Sequence, residues 1–257
     1  MRKLKGVKYI IGDISKKNSL KKINFFFNYV VNASGYVDHS NKKKVFQSHY
    51  EGCKNLAEVF LSKKPNHFIQ IGSSAEYGKI KSPHKETTRC KPRSIYGKSK
   101  FLATKFFLNL YKKNKFPVTV LRPYQIYGPA QDTNRLIPIT ISSCLKNKTF
   151  PCSNGKQKRD FIYIDDFINL VFKCFFEKKT NGKVLNVGSS NPLKVKNIIS
   201  HIKKKVKKGN PQFGKIKLRS EETLETYPNI ERARKSLRWK PNISISSGLN
   251  KTISYYK

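Results

Sequence analysis

Four short runs, "VKYIIGDI", "FNYVVNAS", "NHFIQIGSS" and "FPVTVLRP", are near-continuous stretches of apolar, β-branched or aromatic residues that give way to Gly, Asn, Ser or Pro. Such runs read as buried strands. Residues 41–62 and 95–114, which lie between them, have the length and apolar spacing of helices. Strands alternating with helices of this size confine the chain to βαβ units and to a parallel sheet covered on both faces, an α/β fold. Beyond Pro123 the pattern loosens. It runs through a loop "YQIYGPAQDTN", a helix near 135–146, a strand-like "RDFIYID", a helix near 165–177 and a short strand "KVLNVGSS". A basic helix, a loop around "LRSEETLETYPN" and two short helices flanking "RWKPN" complete the chain.

Ligands of an open parallel sheet sit outside the carboxyl ends of its strands. At those ends stand Asp13, Asn32, Ser73 with Ser74, and Arg122, which together suggest a cleft. Taken singly, each is equally a turn or cap residue.

The 257 residues carry a formal charge of +39, from 54 Lys and Arg against 15 Asp and Glu. That excess suggests an anionic partner, but the bases are 44 lysines and 10 arginines spread along the whole length. A compositional bias explains this distribution better than a nucleic-acid surface. The densest run, "HIKKKVKKG", reads as an amphipathic helix with His201, Lys203, Lys204 and Lys207 in solvent, and no aromatic residue interleaves it as single-strand binding requires. No specific nucleic-acid partner is expected. Five cysteines, odd in number and without CxxC spacing, suggest reduced thiols in a cytoplasmic protein and no metal site. No stretch approaches roughly 18 uninterrupted apolar residues, so a membrane span is not expected.

"SIYGKSK" places Tyr96 and Lys100 at i and i+4, on one helix face. An ammonium beside a phenol stabilises the phenolate and draws its pKa down from about 10, which makes a usable acid/base. A hydroxyl from a neighbouring strand end, Ser73 or Ser74, could polarise a carbonyl or alcohol at the same point. In a chain with 13 tyrosines and this much lysine, the pair alone is equally a solvated helix face.

"IGSSAEYG", "SIYGKSK", "VLRPYQIYGP", "KRDFIYIDD", "VLNVGSS" and "RWKP" occur in the order characteristic of extended short-chain dehydrogenase/reductases. From about residue 7 to its end, the chain resembles the NAD-dependent epimerase/dehydratase family that acts on nucleotide sugars. The resemblance implies Ser73, Tyr96 and Lys100 as the catalytic group, with Lys100 also holding the nicotinamide ribose. It implies Asp13 and Ile14 at the adenine, and Asn32, Ala33 and Ser34 along an NAD or NADP cofactor. Pro123 and Tyr124 would lie near the nicotinamide, and Ser74 and Gln125 near the sugar. Arg159 and Arg219 would hold the diphosphate, a role suited to a guanidinium fork, and Glu222 the nucleotide ribose. Asp165 or Asp166 is expected to cap the following helix. The partners implied are a nucleotide-diphosphate sugar and a second copy of the chain, in a homodimer to which the Tyr96 helix contributes.

Two departures from the family pattern shape the functional expectation. Dehydratases of the family place acidic groups directly after the catalytic hydroxyl, where this chain has Ser74 and Ala75, with Glu76 one place further on. Epimerisation at C4 of a nucleotide-diphosphate hexose, or reduction of its 4-ketone, is therefore expected rather than loss of water. In addition, none of the 14 glycines forms GxGxxG or GxxGxxG. The fold expected is a partial Rossmann-type doubly wound sheet without its first two strands. Residues 1–130 would form a truncated dinucleotide-binding domain, with 160–190 returning to it, and 131–257 a small, mainly substrate-binding lobe. The alternative is a non-catalytic remnant that binds a nucleotide sugar or a partner chain.

Overall fold

The computed structural model describes residues 4–218 and 222–257. Among them the main sheet has four parallel strands, β1 (Tyr29–Asn32), β2 (His67–Ile71), β3 (Val118–Pro123) and β8 (Lys183–Val187), in the order β1-β2-β3-β8. Between β1 and β2 run α1 (Lys42–Phe46), a π-helical turn (Gln47–Glu51) and α2 (Gly52–Lys63). Helix α3 (Ile95–Asn114) joins β2 to β3. Its start is fixed by Ser94, whose Oγ accepts the Gly97 amide at 3.1 Å. It stops at Lys115, which adopts the left-handed conformation just before Phe116-Pro117.

The second half contains β4 (Gln125–Tyr127), α4 (Leu136–Leu145), β5 (Thr149–Cys152), β6 (Lys158–Arg159), β7 (Phe161–Tyr163) and α5 (Ile164–Phe175). After β8 come β9 (Leu193–Lys194), α6 (Val195–Val206), β10 (Asn210–Phe213), β11 (Glu225–Thr226), α7 (Glu231–Leu237) and α8 (Ile245–Tyr256). Small pairings tie this part together: β10 with β5, β4 with β7, and β11-β6-β9.

Strand alternation divides the core between the two faces of the main sheet. Phe68, Val118 and Val120 pack with Phe60 and Phe107 from α2 and α3. Their sequence neighbours Ile69 and Leu121 face the other way, onto Leu170 and Cys174 of α5, Leu237 of α7 and Trp239. A third cluster joins Tyr127 and Tyr163 to Ile141, Ile202 and Leu249 of α4, α6 and α8.

Two expectations need correction. Residues 7–14 form no strand; Ile11 is 89% exposed, and Asp13 closes a turn by accepting the Ser15 amide at 2.9 Å and the Ser15 hydroxyl at 2.7 Å. An apolar run becomes a strand only where a ladder satisfies its backbone, and β1 at the sheet edge pairs with β2 alone. The second concerns Asp166, which caps no helix. It accepts the Asn242 and Ile243 amides at 2.9 and 3.0 Å and so pins the segment after Trp239 to α5, whose own N-cap residue is Tyr163.

Candidate active site

A cleft of about 610 Å³ opens at the carboxyl ends of β1, β2 and β3. The β2 exit supplies Ser73 and Ser74, α3 supplies Tyr96 and Lys100, and the β3 exit supplies Pro123, Tyr124 and Gln125. Ala33 and Ser34 line it from the end of β1, and Arg159 and Glu222 from the second half of the chain.

Ser73 is held by its own turn. Its Oγ accepts the Ala75 amide at 3.1 Å, while its amide donates to Glu76 Oε1 at 2.9 Å, which together form a capping box. Glu76 is fully buried and receives Arg122 through Nε at 2.9 Å and Nη2 at 2.8 Å. Burial raises the Glu76 carboxyl against the opposing charge of Arg122. Arg122 is itself 3% exposed and stands over the ring of Tyr77, so this strand-end residue belongs to the core and not to the cleft.

Lys100 is 4% exposed, and its ammonium donates to the Ile71 carbonyl at 2.8 Å, two residues before Ser73. The same Nζ lies 6.0 Å from the centre of the Tyr96 ring. Gly97 allows this convergence, because a Cβ there would come within 2.6 Å of the Ala75 carbonyl oxygen. Helix α3 can therefore press its first turn against the loop that carries Ser73.

The Tyr96 ring is packed by two histidines that sequence reasoning passed over. His39 stacks on it with ring centres 4.4 Å apart, and His49 meets it edge-on at 5.0 Å. His49 lies in the π-helical turn, a distortion frequently found at functional sites. Its Nε2 is 3.1 Å from the Tyr36 carbonyl, which can only accept, so Nε2 carries the proton and Nδ1 presents a lone pair. Among the described residues that buried Nδ1 has no partner. Burial, aided by Lys100, lowers the His49 pKa to about 4 and keeps the ring neutral. Isolated histidines in a loop and a helix gave no signal of this packing; only the fold brings them to Tyr96.

Tyr124 is oriented from behind. His84 Nε2 donates to the Ile80 carbonyl at 2.9 Å, so its Nδ1 accepts the Tyr124 hydroxyl at 2.8 Å. Burial raises the Tyr124 phenol well above its usual range and holds it protonated.

Three other expected site residues, Asp13, Ile14 and Asn32, lie apart from the cleft. Asp13 and Ile14 do not line it; Ile14 packs against the α2 core and its carbonyl accepts a hydrogen bond from the Asn55 side-chain Nδ2 at 3.0 Å. Asn32 is 2% exposed and donates to Gln70 Oε1 at 2.8 Å, so it ties β1 to β2. Arg159 reaches the cleft but is paired with Glu222 at 2.5 Å and donates to the Lys158 carbonyl at 2.8 Å. Arg219 lies outside the described residues.

A parallel sheet with helices on both faces, and a Ser, Tyr and Lys gathered at its carboxyl end, define a Rossmann-type α/β protein. Residues 2–188 match the NAD dependent epimerase/dehydratase family, and the chain belongs to it. It is 27% identical over 209 residues to an uncharacterized UDP-glucose epimerase of Bacillus subtilis, covering 80% of this chain and 65% of that protein. It is 26% identical over 198 residues to mouse dTDP-D-glucose 4,6-dehydratase, covering 74% of this chain and 55% of the relative. The chain thus spans less than two thirds of the length of either. The UDP-glucose 4-epimerase of Thermus thermophilus, solved in complex with NAD, superposes with a TM-score of 0.90 at 18% identity, covering 98% of this chain and 86% of that one. That likeness establishes the fold. No helix among the described residues is long and apolar enough to cross a membrane.

Proposed function

We propose that the chain binds a nucleotide-diphosphate hexose and acts on it at C4, as an epimerase or a 4-ketoreductase. The observation that carries this reading is the meeting of Ser73, Tyr96 and Lys100 in one cleft, on a strand exit and a helix start held together at Gly97. Tyr96 exchanges the proton of the C4 hydroxyl and Ser73 holds that oxygen, with the Lys100 ammonium 6.0 Å from the centre of the Tyr96 ring. Arg159 anchors the diphosphate, leaving Glu222 to do so.

NAD or NADP would supply hydride transfer at C4 when bound. Ser34, Tyr96, Lys100 and Pro123 fit the nicotinamide end of such a cofactor, since all four line the cleft. Asp13 and Ile14 do not reach it. That observation favours a second reading, a nucleotide-sugar binder that holds dinucleotide weakly or not at all. Dehydration is disfavoured because Ser74 and Ala75 follow Ser73, while Glu76 is locked to Arg122.

The test is turnover of UDP-glucose to UDP-galactose by the purified chain with added NAD, alongside calorimetric titration of UDP-glucose and NAD separately. Turnover that disappears in Tyr96→Phe supports catalysis. UDP-glucose binding without NAD binding selects the second reading, and binding of neither overturns both.

A further inference from the structure

Residues 33–40, between the end of β1 and the Asn41 cap of α1, have no regular structure of their own. They are nevertheless gripped at one residue through both backbone groups. The Tyr36 amide donates to Ser48 Oγ at 2.8 Å, and the Tyr36 carbonyl accepts His49 Nε2 at 3.1 Å. Ser48 and His49 are consecutive residues of the π-helical turn, so one short distortion supplies both halves of the clamp. The close approach requires glycine at residue 35, because a Cβ there would collide with the His49 imidazole.

The clamped segment carries His39, three residues past Tyr36. His39 lays its ring on Tyr96 with 4.4 Å between centres and 22° between planes. His49 reaches the same tyrosine edge-on at 5.0 Å and 83°, and the two imidazoles meet at 6.5 Å and 80°. Stacked and edge-to-face contacts are the preferred arrangements of aromatic rings, and here both act on one ring. His39 is itself exposed, so its place over Tyr96 is set by the backbone that carries it.

For packing alone, an imidazole at residue 49 is a costly choice. Its Nδ1 is buried with no partner among the described residues, and an unsatisfied buried acceptor destabilises a fold. A phenylalanine would present an aromatic edge to Tyr96 without that penalty. What it would lack is the N–H that holds Tyr36. We propose that Ser48 and His49 are positioning residues for Tyr96: by holding Tyr36 they keep His39 stacked on the phenol ring, and so fix the orientation in which its hydroxyl meets the ligand. This rests on the reading of Tyr96 as the acid/base of the cleft. Ser48 does not line the cleft and acts through the segment it holds.

The experiment places Ser48→Ala, Ser48→Thr and His49→Phe in the full chain and takes two readouts. One is kcat and KM for conversion of UDP-glucose to UDP-galactose with NAD. The other is the Tyr96 ring signal in the magnetic resonance spectrum of protein isotope-labelled at its tyrosine rings, assigned by its loss in Tyr96→Phe. Ser48→Ala removes the acceptor of the Tyr36 amide, and His49→Phe keeps an aromatic edge while removing the donor to the Tyr36 carbonyl. Both should move the Tyr96 signal toward that of an unstacked tyrosine. Both should also lower kcat by about tenfold or more, as a misplaced reacting group does, with KM changed less. Ser48→Thr keeps the acceptor hydroxyl and should match the unaltered chain in both readouts. A clamp that serves stability alone would lower the melting temperature and leave the Tyr96 signal of the folded protein in place.

An unmoved Tyr96 signal in Ser48→Ala and His49→Phe overturns the inference, as does a moved signal with kcat unchanged. A response to His49→Phe alone, when both variants fold, reduces the arrangement to direct ring contact and overturns it too. Each variant severs the clamp by itself, so if only one folds, that one decides. All of these results leave the acid/base reading of Tyr96 standing. If the unaltered chain turns over no sugar, that reading fails and takes the inference with it.

Discussion

Replacing Glu76 by Gln should be among the most costly single changes in the molecule. Glu76 has no solvent exposure, and its carboxylate receives two hydrogen bonds from Arg122, whose side chain is 4% exposed, and one from the Ser73 amide. A Gln side chain keeps the volume but loses the charge, and its amide nitrogen would oppose guanidinium donors or the Ser73 N–H. Arg122 stays charged, since a guanidinium keeps its proton in a protein, and among the described residues no other carboxylate lies within ion-pair distance of it. Breaking a buried pair from one side costs about 3–5 kcal/mol, which for a chain of this size lowers the melting temperature by about 6–20 °C. Urea unfolding monitored by circular dichroism measures the loss. Replacing both partners, Glu76→Met with Arg122→Met, removes the orphaned charge and should recover most of it. A Glu76→Gln loss under about 1 kcal/mol, or a double variant no better than the single one, would refute the reasoning.

Three more outcomes follow from the same geometry. Tyr96→Phe keeps the ring that stacks on His39 and meets His49 edge-on and removes only the hydroxyl, so turnover should drop by about 10²–10⁴-fold with the melting temperature little changed; a matching collapse of stability would count against an acid/base role. Gly97→Ala puts a Cβ 2.6 Å from a backbone oxygen and must shift α3 away from Ser73, so kcat should fall by about tenfold or more while binding of UDP-glucose is affected less; unchanged kcat would show that the close approach is unimportant. Asp160 is raised to about 6 by burial, so the folded chain binds its proton more tightly than the unfolded one, and this group subtracts stability as pH rises from about 4 to 6. His49 and His67, both lowered to about 4 by burial, act in the opposite sense and add stability from about pH 4 to 6.5. Asp160→Asn should therefore make the urea midpoint climb more steeply between pH 4 and 6, and an unchanged or shallower slope would contradict the assignment.

Much of the architecture was legible because it rests on local periodicity. The helix expected over 95–114 is α3, Ile95–Asn114, and three of the four predicted strands are β1, β2 and β3. The cleft was legible for a different reason: Ser73, Tyr96 and Lys100 stand within a short span and on elements whose ends meet. What stayed hidden depends on contacts distant in sequence. Residues 7–14 have strand composition but no strand beside them. Arg122 looked like a strand-end ligand, yet a carboxylate 46 residues away draws it into the core. Asp166 looked like a helix cap, yet its acceptors are spent on amides 76 and 77 residues further on. Arg159 and Glu222 were separate expectations that the fold brings into one pair, 63 residues apart.

The bond from Lys100 to the Ile71 carbonyl has a consequence for how such a chain can diversify. It moors the ammonium to the same strand that delivers Ser73, so the two groups travel as one body with the centre of the sheet. Other segments that line the cleft, at Arg93 and at Arg135, hang outside that anchorage. The lining there can be rebuilt while Ser73 and Lys100 keep their alignment, so under the proposed reading new cargo can be admitted without disturbing the group that handles the proton.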